Sequence, residues 1–82
     1  MEIYEEIRAN RENGARRMVA EYRARLQGAA TMLCKNEHDA EDLVFRAFAQ
    51  AINRIGDYRP SGSFYYWIYT ILLNFHRMDL RK

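Results

Sequence analysis

Between positions 40 and 55 the apolar residues Ala40, Leu43, Val44, Ala47, Phe48, Ala51, Ile52 and Ile55 recur at intervals of three and four. That period puts all eight on one stripe of an α-helix, which has to be covered by other parts of the chain. Asp39 stands at the expected N-cap, its carboxylate able to accept orphan amides of the first turn, while Glu41 and Asp42 suit the positive end of the helix dipole. Gly56 is the expected left-handed stop, so the sequence predicts a helix over 39–55.

The rest of the chain supplies the cover. Ile3, Tyr4 and Ile7 predict a short helix over 2–12 that stops near Asn13-Gly14. Met18, Val19, Tyr22, Leu26, Ala29, Ala30 and Leu33 predict a second over 15–35, with Arg16, Arg17, Arg23 and Arg25 on its wet side. Turn formers and Pro60 make 56–62 a loop, after which Ser61 or Ser63 can cap a helix over 63–81. Phe64, Ile68, Ile71, Phe75 and Met78 form its expected core face. The expectation is an all-α fold, a compact bundle of three main helices plus a short N-terminal helix, in one domain over 1–82.

Composition narrows the function. Eighty-two residues can bury only somewhat more than ~60% of their unfolded surface, which leaves little room for an enclosed active site. Cys34 is alone beside Met32 and Leu33, excludes an internal disulfide and reads as a small buried hydrophobe suited to a reducing cytoplasm. No apolar run approaches the roughly 18 residues of a membrane span, and Glu2, Glu5 and Glu6 follow Met1 where a leader would be basic and apolar. His38 and Asp42, one turn apart, make too small a ligand set for a metal, and His76 has no triad-like companion. No glycine-rich phosphate loop occurs. Catalysis, a cofactor and a small-molecule substrate are therefore not expected.

Charge and aromatics point elsewhere. The net charge is +2, but residues 1–42 carry 7 basic and 9 acidic groups and residues 43–82 carry 6 basic and 2 acidic. A polyanion should meet the second half. There, Phe64, Tyr65, Tyr66, Trp67 and Tyr69 put five aromatics into six positions. Phe64 and Ile68 belong to the core stripe and Trp67 lies at its edge, whereas Tyr65, Tyr66 and Tyr69 exceed what one packed side can cover. At least one phenol face should lie open beside Arg59, Arg77 and Arg81, a surface for unstacked bases or, alternatively, for a protein. Phe45 falls on the polar side of its helix, either exposed toward a partner or covered by the first helix.

These residues resemble region 2 of a bacterial sigma factor, specifically of the extracytoplasmic-function group. Asp39-Ala40-Glu41-Asp42-Leu43-Val44 followed by Phe48 is similar to that family's core-polymerase-binding helix, and Phe64, Trp67, Tyr69, Ile71 and Asn74 match the spacing of its promoter-melting helix. Tyr22, Arg25 and Leu26 fit the helix before them. The resemblance spans roughly residues 7–82. It implies a transcription initiation factor domain that binds core RNA polymerase, on the clamp helices of the largest catalytic subunit, and recognises and melts the minus-ten promoter element. Asp39, Asp42, Leu43, Phe45, Arg46 and Ala49 would then fall to polymerase. Arg59, Ser61, Ser63, Phe64, Tyr65, Trp67, Asn74 and Arg77 would fall to the non-template strand of promoter DNA. An anti-sigma factor is a further candidate partner.

The chain departs from the family where Phe45 and Arg46 replace the usual Gln and Glu, and where Met78 precedes Asp79 at the usual acid position. The family's helix-turn-helix for the minus-35 element has no counterpart, so the sequence looks like a fragment or an isolated domain. The alternative reading is a helical protein-interaction module, a regulator, that does not bind DNA. Open aromatic and Arg side chains around the loop favour the first reading, and covered ones the second.

Overall fold

A computed structural model describes residues 1–81. Four helices follow in order: α1 (Ile3–Ala9), α2 (Arg11–Leu33), α3 (Glu37–Asn53) and α4 (Phe64–Leu80), with a 3-10 turn at Ile55–Asp57 between the last two. The fold is all-α. α2 packs against α1 on one side and α3 on the other, and α4 packs mainly on α3. Met18 and Leu26 from α2, Leu43 from α3, and Ile68 and Leu72 from α4 meet in one fully buried centre. Each such side chain contributes about 1.5–3 kcal/mol on leaving water.

The junction between α1 and α2 corrects the expected stop at Asn13-Gly14. The chain turns at Asn10, which is extended (φ −149°, ψ 96°) and whose side chain accepts a hydrogen bond from the Asn13 amide at 3.2 Å. Asn13 and Gly14 are thus inside α2. Gly14 is there because α1 crosses it: a Cβ would lie 2.4 Å from the backbone N and Cα of Ile7. The glycine serves a close helix approach, not a turn.

Capping also shifts at α3. Asn36, not Asp39, is the N-cap, and its side chain accepts from the Asp39 amide at 2.8 Å. Asp39 returns the bond, its carboxylate accepting from Asn36 Nδ2 at 2.8 Å. Asn and Asp cap about equally well, so residue type alone does not choose between them. Gly56 is not a left-handed stop either. No described glycine has positive φ, and the helix gives way through Arg54 to the 3-10 turn. Ser63 caps α4, accepting from the Tyr66 amide at 3.1 Å.

On α4 the core line runs Phe64, Ile68, Leu72; Ile71 and Phe75 flank it half-buried, and Met78, expected in the core, is 54% exposed. The far end of α4 is fastened to α3 by Arg46. Its guanidinium forks onto Asp79, with Nη1 to Oδ1 at 3.2 Å, and bonds Asp42 through Nε at 3.0 Å. The bond to Asp79 raises the Arg46 pKa above its ordinary value, so the group stays charged. Cys34, expected to be buried, is half-buried at the C-cap of α2, where desolvation pushes its thiol pKa up and keeps it protonated.

Candidate nucleic-acid interface

The aromatic run at the start of α4 divides, because residues one and three positions into a helix point to nearly opposite flanks. On the flank facing α2, Tyr65 lies 5.4 Å from Tyr22 and under Arg25, whose guanidinium carbon sits 3.9 Å from the ring centroid. Tyr69 follows in a stacked arrangement with Tyr65 at 6.3 Å and 14°. Tyr66, 62% exposed, completes this face. Arg25, Ala29, Ser63, Tyr65, Tyr66 and Tyr69 border an open hollow of about 560 Å³.

On the opposite flank Trp67 forms part of a groove of about 290 Å³ between α3 and α4, with Gln50 and Arg54 on one wall and Thr70 and Asn74 on the other. An indole beside two carboxamides suits a flat heterocycle, since stacking needs a planar face and each amide offers both donor and acceptor to a base edge. Arg54 is held at the rim by Asp57, Nη2 to Oδ2 2.7 Å.

Between the flanks the loop after the 3-10 turn is tied down by Tyr58. This buried ring is 5.0 Å from both Phe64 and Trp67 and 5.1 Å from Tyr4. Its hydroxyl donates to the Gly62 carbonyl at 3.1 Å, and burial raises its pKa, so it remains a neutral donor. Each ring contact contributes about 0.5–1.5 kcal/mol beyond burial. Arg59 and Ser61 are left exposed at the loop tip.

The structure therefore sorts the expected DNA set. Arg59, Ser61, Asn74 and Arg77 are exposed, Ser63 is exposed but engaged as a cap, and Tyr65 and Trp67 are half-buried on different flanks. Phe64 is corrected: at 8% exposure it is a core residue joined to Tyr22, Tyr58 and Trp67, with no open face for a base. Arg25, Gln50, Arg54 and Tyr58 were missed. Arg25 follows Tyr22 on the same helical face, and Gln50 precedes Arg54 by one turn, spacings that mark shared rows. Tyr58 lies in a loop, where periodicity carries no signal.

The outer side of α3 forms a second surface. Phe45 is 73% exposed, which removes the covered alternative, and it borders a hollow of about 190 Å³ with Val19, Arg23, Gln27, Glu41 and Val44. Asp39 and Asp42 are exposed and Ala49 half-buried. Leu43 is corrected, because at 1% exposure it belongs to the core stripe. Arg46, assigned to polymerase by the resemblance, is half-buried and already engaged by Asp42 and Asp79. Among the described residues no group of His, Cys, Asp and Glu could hold a metal, and no helix is long and apolar enough to cross a membrane.

Comparison with known proteins gives these surfaces a context. Residues 18–82 match the family model for sigma-70 region 2. The RNA polymerase sigma-H factor of Pseudomonas aeruginosa is 28% identical over 57 residues, covering 70% of this chain and 30% of that factor. The chain thus spans about 30% of the length of the relative it matches. No solved structure matches. The matched segment takes in most of α2, all of α3, the loop and α4, and on that ground the chain belongs to the sigma-70 region 2 family of transcription initiation factors.

Proposed function

We propose that this domain, of the extracytoplasmic-function type, joins core RNA polymerase through the outer side of α3 and captures the unpaired non-template strand of a minus-ten element with the loop and α4. The observation that carries this reading is the separation of the two surfaces on α3. Phe45 faces a hollow shared with α2, whereas Gln50 and Arg54 face the groove shared with α4. Both surfaces can be occupied at once, as a bridge between enzyme and promoter requires.

On this reading, the clamp helices of the largest catalytic subunit cover Phe45 and its acidic surroundings at Glu41 and Asp42. The groove at Trp67 and Asn74 receives a base, with Arg59 and Ser61 at the loop tip and Tyr66 on the other flank. Unstacking a DNA step costs about 1.4 kcal/mol, and one base trapped on an aromatic returns about 1–3 kcal/mol. Melting is thereby favoured by capture of the opened state, without any chemical step. The protein-only reading expects covered aromatic and Arg side chains around the loop, whereas Arg59 on the loop and Tyr66 in the first turn of α4 are exposed.

A titration of core polymerase with wild-type and Phe45→Asp protein tests the dock. Phe45 lies off the core, so circular dichroism should be unchanged while core affinity falls by an exposed aromatic anchor's worth, about 2 kcal/mol or more. Equal affinity of the two proteins would remove α3 from the interface.

A further inference from the structure

Residues 1–17 fall outside the family match, yet α1 reaches the loop directly. Arg8 Nη2 donates to two backbone carbonyls on the far side of the sequence, Tyr58 at 2.7 Å and Ile55 at 3.3 Å. These two bracket the 3-10 turn from which the loop departs. One turn back on α1, the Tyr4 ring packs tilted at 59° against the Tyr58 ring, centroids 5.1 Å apart, and lies 5.4 Å from the Arg8 guanidinium carbon. Tyr58 in turn fixes Gly62 through its hydroxyl and packs on Trp67. α1 is itself held by the close crossing at Gly14 and by Arg17, which binds Glu6 at 3.0 Å and the Met1 carbonyl at 2.6 Å.

We propose that α1 is a positioning strut for strand capture, with Arg8 as its positioning residue. Arg8 touches neither the groove at Trp67 nor the outer side of α3. Its action is to hold the two carbonyls, and through Tyr58 the loop and the indole, in the arrangement that the strand meets. The physical basis is preorganisation. A loop ordered before binding spares the complex the entropy of ordering it, and a charged donor on part-buried carbonyls is among the stronger single ties available to a backbone.

This inference rests on the strand-capture reading above, and one set of measurements separates the two. The full chain is assembled with core polymerase, and a fluorescein-labelled single-stranded DNA selected from a randomised pool on the wild-type complex serves as the probe. Arg8→Ala should weaken probe binding about tenfold, the worth of one charge-assisted bond. Core affinity should not change, and the Tyr58 amide, which donates to the Ile55 carbonyl at 3.2 Å, should exchange faster. Arg8→Lys, which keeps a charged donor, should recover part of the affinity. If Arg8→Ala loses helicity, Arg8→Gln and Tyr4→Ala carry the same test. Probe affinity equal to wild type, or probe and core affinities falling together with helicity intact, would overturn the strut. A wild-type complex that retains no more probe than core polymerase alone would instead overturn strand capture, and the positioning role with it.

Discussion

Leu72→Ala should destabilise the domain by about 2–5 kcal/mol, whereas Met78→Ala, closer to the end of the same helix, should fall within about 0.5 kcal/mol of wild type. Leu72 is fully buried and Met78 is 54% exposed. A chain of this length is expected to have roughly 4–12 kcal/mol of total stability, so the first substitution removes a large share of it. At about 4–8 °C per kcal/mol, the melting temperature should drop by roughly 10 °C or more. Urea unfolding followed by circular dichroism measures both variants. The reverse order would mean that α4 is rotated toward the face read from the sequence.

That face was ambiguous for a physical reason. Counting from Ile68, a step of three reaches Ile71 and a step of four reaches Leu72, and both are apolar, as is Leu73. Period alone cannot choose among three adjacent hydrophobes; packing against α2 and α3 does. The stripe on α3 was legible because polar Asp42, Arg46 and Asn53 fall off it: Ala40, Leu43, Val44, Ala47, Phe48 and Ala51 are buried as the period predicts, while Ile52 is half-buried and Ile55 is buried from the 3-10 turn. The aromatic run of α4 was visible, and so was Phe64's place on the core face; the division of the run into two flanks follows from helix geometry, and the Tyr58 ring that closes over Phe64 arrives from a loop. The tie from Arg8 to Tyr58 joins positions 50 apart, a distance over which local pattern is silent.

Gly14→Ala should destabilise by about 1–3 kcal/mol, although alanine in place of glycine within a helix ordinarily stabilises by about 0.5–1 kcal/mol. The sign reverses because the new methyl would sit 2.4 Å from the Ile7 backbone, which has no side-chain torsion to turn away. α1 has to lift from α2 to make room, drawing Arg8 and Tyr4 off the loop. Gly28→Ala on the same helix is the control. Nothing lies within 4 Å of its added Cβ, so that variant should gain the ordinary increment. Thermal unfolding of the two variants side by side compares one chemical change at two sites on one helix, and a stabilised Gly14→Ala protein would mean that α1 does not cross α2 at this glycine.

The proposed arrangement puts polymerase on one surface of a small domain and an unpaired strand on another. Its most direct test is equilibrium binding of a labelled single-stranded DNA, selected on the complex, to core polymerase with and without this chain, alongside the same sequence as duplex. Single strand should be retained well above the level of core polymerase alone only when the chain is present, in preference to duplex, and with a salt slope of about −0.7 per phosphate neutralised. A chain that binds core polymerase fully yet leaves single-strand retention at the level of the enzyme alone would contradict that arrangement.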